Sequence, residues 1–160
     1  MLGDCVSSQF DGIEPAPLVH RLGRLDSVRE GLRPGIYTAA TEMTAIVAAS
    51  LADFPDFDGA DMAERMAAGQ TPTLRYGRAT VAALESLRAG VDWQEAGSAS
   101  AGRTSFGNGA ATRSAPVGLL YGEDAERLRW VAEEAAAISH PHALGSEGAV
   151  LQATAVAMAM

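Results

Sequence analysis

Apolar positions along the chain recur at helical rather than strand spacing. In residues 41–53, Met43, Ile46, Val47 and Leu51 share one face, with Phe54 just beyond, which predicts a helix. Thr41 can cap that helix, and Glu42 suits its positive end. Asp58 reads as the N-cap of a second helix that carries Met62 and Met66 on one face and ends at Gly69, the methionines serving as core filling. Residues 79–89 place Val81, Leu84 and Leu87 on one stripe, stopped by Gly90. Asp92 and Glu95 form a capping-box-like start to a short turn closing at Gly97. Residues 124–138 predict a strong helix with Leu128, Val131, Ala135 and Ile138 in register. The turn "SHPHALGSEG" follows, then a final helix from about Ser146. No segment alternates convincingly with period two and no repeat is visible, so the expected class is all-α, with functional residues in the connecting loops.

Composition narrows the possibilities. At 160 residues the chain is one domain or part of a larger one, and an apolar content of 48% permits a real core. Aromatic residues are only 6%, and abundant alanine suits closely packed helices. A net charge of -8 argues against a nucleic-acid surface or an anionic membrane, but leaves room for a small anion held by local amides. All 12 basic residues are arginine, which with the alanine excess points to a GC-rich bacterial genome. The single Cys5 excludes an internal disulfide and fits a reducing, cytoplasmic compartment; its expected role is a small buried side chain. No signal peptide is visible, and "AVLQATAVAMAM" at the end is too short to span a bilayer. Both termini read as abrupt, as if cut from something longer.

Four stretches are more polar and more glycine-bound than packing requires: "GDCVSSQFDG" (3–12), "YTAATEMT" (37–44), "TSFGNGAATR" (104–113) and "SHPHALGSEGA" (139–149). Each ends in, or leads into, a helix start, where unpaired amides suit anions. Residues 97–109 have the composition of a flexible linker, but Phe106 and Asn108 are specific residues in a tight glycine frame.

Taken together, these stretches resemble the N-terminal half of the ADP-ribosylglycohydrolase family, which includes the dinitrogenase-reductase-activating glycohydrolases. The resemblance rests on Gly3-Asp4, "YTAAT" (37–41), "YGRAT" (76–80), "SFGNGAATR" (105–113) and "SHPHALG" (139–145), in the family's order and across nearly the whole chain. It implies a compact orthogonal helical domain truncated at its C-terminus, with residues 1–160 as the N-terminal part. It also implies a cleft holding two Mg2+ ions, and hydrolysis of the glycosidic bond between ADP-ribose and a side chain or small molecule. Hard cations on carboxylate oxygens could orient ribose hydroxyls and polarise water or the leaving group, while an acidic residue supplies proton transfer.

Carried over residue by residue, the resemblance gives Asp11 the metal-contacting and catalytic acid/base role, although glutamate is usual there and Glu14 is a nearby substitute. Ser7 stands where glycine is usual. Thr38 matches a metal-ligating threonine, and Ala39 and Ala40 occupy the positions of paired aspartates. A methyl group cannot coordinate magnesium, so metal affinity should be lost there. Ser105, Phe106, Gly107 and Asn108 match the loop that touches ADP-ribose, with Phe106 walling the adenosine side. Gly77 would let ligand approach the backbone. His140 should lie near the diphosphate or ribose, whereas His142 is read as incidental and Arg113 as making a structural bond. The family's second metal motif is absent, since Asp124 is the only aspartate after Asp92. The expected partners are an ADP-ribose-containing small molecule or an ADP-ribosylated protein, and the expected state is impaired Mg-dependent hydrolysis. Alternatives are a non-catalytic ADP-ribose or nucleotide binder, and a piece serving only assembly. A helix that ends the chain without partners should leave apolar surface exposed.

Overall fold

The computed structural model describes Asp4, residues 36–99 and residues 104–160. Among the described residues there are seven α-helices and no strand: α1 (Ala39–Asp53), α2 (Gly59–Ala68), α3 (Arg78–Arg88), α4 (Trp93–Ala99), α5 (Ala115–Tyr121), α6 (Ala125–Ala137) and α7 (Ala143–Met158). A 3-10 turn, Ala111–Arg113, precedes α5. The all-α expectation therefore holds for the described chain. Asp11, Glu14, Ser7 and Cys5 lie outside the described residues.

Three boundaries differ from the sequence expectation. Thr38, not Thr41, caps α1, because Thr38 is extended and its Oγ1 accepts the Ala40 amide at 3.2 Å. Thr41 lies inside the first turn, where its hydroxyl serves Asp4 instead. The turn expected to close at Gly97 continues as α4 to Ala99. Gly97 is a packing glycine rather than a terminator: a Cβ there would fall 2.4 Å from the Ala137 carbonyl oxygen. The final helix starts at Ala143 rather than Ser146, because the His142 ring caps it, Nδ1 accepting the Leu144 amide at 3.1 Å. Asp58 caps α2 as anticipated, its carboxylate accepting the Ala60 and Asp61 amides; Asp124, expected inside the 124–138 helix, instead caps α6 by accepting the Arg127 amide.

The core gathers the apolar stripes. Val47 and Leu51 of α1, Met62 and Met66 of α2, Leu84 of α3, Val117 of α5, Leu128 and Val131 of α6, and Val150 and Ala153 of α7 form one buried cluster with Ile138. Small residues bring helices close: a Cβ on Gly118 of α5 would lie 2.2 Å from the Ala153 carbonyl oxygen of α7. Between α1 and α2, Asp61 accepts from Ser50 Oγ at 2.7 Å and pairs with Arg65, which also reaches Asp53. Phe57 takes a left-handed φ of 64° at the tight turn between these helices, and its ring meets the edges of Trp93 and Trp130. Tyr121 Oη donates to the Pro55 carbonyl of the same turn at 2.6 Å. The outward face of α7 leaves Leu144, Leu151 and Met158 exposed, as the sequence led us to expect. No helix among the described residues is long and apolar enough to cross a membrane.

Candidate functional site

The N-terminus of α1, residues 75–77 with the first turn of α3, the 104–113 loop and His140 enclose a cavity of about 930 Å³. Of the residues the sequence singled out, it brings together Thr38, Ala39, Ala40, Gly77, Ser105, Phe106, Gly107, Asn108 and His140.

The α1 corner is fixed by Asp4. Its carboxylate accepts from the Thr38 amide at 2.8 Å, from Thr38 Oγ1 at 2.7 Å, and from Thr41 Oγ1. Burial alone would raise the Asp4 pKa, but the hydrogen bonds from Thr41 and Thr38 outweigh it and hold the carboxyl below its ordinary value. The Thr44 hydroxyl donates to the Ala40 carbonyl at 2.7 Å and reaches the Thr112 carbonyl at 3.2 Å, tying this turn to the glycine-rich loop. Glu42 reaches the other way, accepting from the Thr71 amide and hydroxyl and so anchoring the segment that leads to Gly77.

Gly77 is the N-cap of α3 and supplies no side-chain cap. Its φ of -62° suits any residue, and a Cβ there would meet nothing within 4 Å. Neither backbone geometry nor packing requires glycine, and the space it leaves opens on the cavity. Gly109 is the opposite case, since a Cβ would sit 2.6 Å from His140 Cε1. That contact makes Gly109 the residue that lets the loop lie on the histidine, a role the motif reading passed over. Gly145 has the same function from the other side, its Cβ position being 3.0 Å from the His140 carbonyl oxygen and 3.1 Å from that of Ser105.

Within the loop, Ser105 Oγ accepts the Gly107 amide at 3.2 Å, forming a small turn. Phe106 stands out into solvent, 69% exposed, with its ring edge-on to His142 at 5.4 Å. His142 therefore both caps α7 and braces Phe106, so it is not incidental. Asn108 is exposed, and its side chain has no hydrogen-bond partner among the described residues.

His140 is almost fully buried beneath this loop. Burial, reinforced by the Arg113 charge, pushes its pKa down to about 4, so the ring is neutral at pH 7. Its Nδ1 lies 2.8 Å from Ser139 Oγ. Arg113 is buried too: Nη2 donates to Ser139 Oγ at 2.8 Å and to the Ala135 carbonyl at 3.0 Å, and Nη1 reaches the Gly109 carbonyl at 3.4 Å. Desolvation lowers its pKa to about 10, which still leaves it charged at pH 7.

The electrostatic character of the cavity follows. Its described lining carries Arg75, Arg78 and Arg113 and no aspartate or glutamate, in a chain whose net charge is -8. Sequence reasoning missed this inversion, because the three arginines are scattered along the chain and only the fold collects them. The lining also does not fit a divalent cation. Ala39 and Ala40 offer methyl groups, Thr38 Oγ1 is already engaged with Asp4 and Ala40, and no cluster of three His, Cys, Asp or Glu side chains exists among the described residues.

Comparison with known proteins bears on this geometry. A family model described as ADP-ribosylglycohydrolase matches residues 1–160. The chain is 35% identical over 168 residues to ADP-ribosylhydrolase ARH3 of Danio rerio, covering 100% of this chain and 45% of the fish protein. It is 31% identical over 173 residues to ADP-ribosylhydrolase ARH3 of Homo sapiens, covering 100% of this chain and 47% of that one. An uncharacterized protein of Archaeoglobus fulgidus is 30% identical over 162 residues, covering 98% of this chain and 52% of its own length. The chain thus spans about half the length of the curated relatives it matches.

Proposed function

Since the chain belongs to the ADP-ribosylglycohydrolase family, we propose that residues 1–160 are the N-terminal part of one such domain and that the cavity holds the ADP-ribosyl group of a small molecule or modified protein. The parent activity on this reading is hydrolysis of the glycosidic bond to ADP-ribose, the reaction named by the relatives. The observation that carries the ligand class is the cavity at the uncapped start of α3, lined by arginines and, among the described residues, by no carboxylate. A diphosphate is doubly anionic, and amides at a helix start together with guanidinium groups are the donors that recognise it. In this reading Gly77 gives the ligand room against the backbone. Ser105 and Asn108 supply polar groups from the loop, Gly107 lets the ligand approach it, Phe106 walls the adenosine end, and His140 meets a diphosphate or ribose oxygen.

Hydrolysis is a separate matter. The family resemblance implies two magnesium ions near Thr38, but the residues described there do not fit them. Asp11 is proposed as the acid/base, and the chain is proposed to hydrolyse poorly on its own because Ala39 and Ala40 replace the carboxylates such ions need. The second reading, an ADP-ribose binder without catalysis, is favoured by the same two alanines lining a cavity that also carries Arg75, Arg78 and Arg113. The proposed setting is the bacterial cytoplasm.

Titration of the 15N-labelled chain with ADP-ribose tests the ligand assignment. The amides of Gly77, Ser105, Gly107 and Gly109 should shift together and saturably, and adenine alone should not reproduce the pattern. Absence of shifts at these amides would sink the proposal.

A further inference from the structure

The buried triad Arg113, Ser139 and His140 constrains where one proton can be. Arg113 Nη2 can only donate, so at 2.8 Å Ser139 Oγ must be its acceptor. That leaves the Ser139 hydroxyl proton to be placed. Ser139 is itself buried, and the remaining hydrogen-bond partner it has is His140 Nδ1 at 2.8 Å. If Nδ1 carried a proton, two donors would face the serine oxygen and the hydroxyl proton would be buried without an acceptor, at a cost of about 1–3 kcal/mol. Flipping the ring would exchange Nδ1 for carbon and strand the same proton. Only one arrangement satisfies all three groups: Arg113 donates to Ser139, Ser139 donates to Nδ1, and the imidazole proton sits on Nε2.

We infer that Arg113 and Ser139 are positioning residues that lock His140 in its Nε2–H tautomer, so that the cavity floor presents a single N–H donor and never an imidazole lone pair. Nε2 has no hydrogen-bond partner among the described residues, and His140 lines the cavity beside Gly107 and Gly109. The donor therefore waits for an acceptor oxygen from a ligand. The specificity consequence is definite. An oxyanion or ether oxygen is accepted at this point, whereas an amine donor or a metal ion is refused, since metal ligation needs the lone pair that the proton occupies. This explains why a His-x-His sequence is no metal site here: His142 Nδ1 is likewise occupied, accepting the Leu144 amide. The buried guanidinium also opposes protonation of the neighbouring ring, which keeps the donor neutral. Arg113 leaves Nε without a partner and has no carboxylate hydrogen-bonded to it among the described residues. A cation so expensively buried is understandable if it orders this chain of bonds.

The tautomer follows from the protein alone; only the identity of the oxygen acceptor rests on the ADP-ribose reading. Two-bond 1H–15N correlation of the ligand-free 160-residue chain reads the tautomer directly. The expected result is the Nε2–H pattern for His140, unchanged between about pH 8 and pH 5, on both sides of the ordinary imidazole value of about 6.5. Ser139→Ala should give a mixture of tautomers, and Ser139→Thr, which keeps the hydroxyl, should restore one. An Nδ1–H pattern in the unaltered chain would overturn the inference, and that spectrum suffices even if the alanine variant does not fold. A tautomer unchanged in folded Ser139→Ala would also overturn it. If ADP-ribose binds, Ser139→Ala should weaken it about five-fold, as expected for a partly misdirected neutral hydrogen bond. Binding unchanged in that variant would refute the donor role. Failure of ADP-ribose to bind the unaltered chain would refute the ligand assignment and leave the tautomer to be judged on its spectrum.

Discussion

Lowering the pH from 7 toward 5 should destabilise this protein through His140. In the unfolded chain the imidazole titrates near 6.5, whereas in the folded chain its pKa is pushed down to about 4 by burial first and the Arg113 charge second. Between those values the unfolded state binds more protons than the native state, so stability falls as the pH falls. At about 1.36 kcal/mol per unit, the full shift is worth at most about 3 kcal/mol, complete only below pH 4. By pH 5 the loss would be about 2 kcal/mol, and since one edge of the ring faces the cavity, water reduces it to roughly 1–1.5 kcal/mol. The assay is urea unfolding at a series of pH values, for the unaltered chain and for His140→Gln. With a slope of about 1–3 kcal/mol per molar urea, the midpoint of the unaltered chain should drop by roughly 0.5–1 M between pH 7 and pH 5 relative to the variant. His20 and His142 are common to both proteins and cancel in the difference. Parallel curves for the two proteins, or an NMR titration placing His140 at 6.5 or above, would refute the reasoning.

Four further outcomes follow from the site geometry. Gly77→Ala should leave the melting temperature unchanged or slightly raised, because its Cβ has open space, yet weaken ADP-ribose binding about ten-fold or more in calorimetry. Gly109→Ala should instead cost about 1–3 kcal/mol in urea unfolding, because its Cβ drives into His140. Arg78→Ala should weaken ADP-ribose binding about ten-fold and reduce its salt dependence, with thermal stability within about 0.5 kcal/mol of the unaltered chain. Ala39→Asp with Ala40→Asp should confer saturable Mg2+ binding where the unaltered chain shows none; no heat of binding in the variant would show that the alanines are not what excludes the ion.

Much of the fold was legible in the sequence because helix starts here are written in local chemistry. Asp58 is a cap in sequence and in structure, and the Met62–Met66 stripe is core as its spacing implied. The errors came from tertiary partners. Thr41 looks like a cap until Asp4, distant in sequence, takes its hydroxyl. Gly97 looks like a terminator until Ala137 and Pro141 are seen pressed against it. His142 looks incidental because the cap it makes and the Phe106 ring it touches are both conformational. At the site, motif matching gathered the glycine loop, the threonine turn and His140. It included Asp4 in its first motif but gave no hint that Asp4 anchors the threonine turn, that Gly109 seats the histidine, or that arginines gather on the described cavity lining of an acidic chain. Those depend on which side chains the helices bring together, which spacing along one strand of sequence does not encode.

Calorimetric titration of the chain with ADP-ribose, in the presence and absence of Mg2+, tests the central claim most directly. The cavity, whose lining among the described residues carries arginines and no carboxylate, predicts saturable one-site binding with the same affinity in both conditions. Binding that appears only with Mg2+, or no binding in either condition, would contradict it.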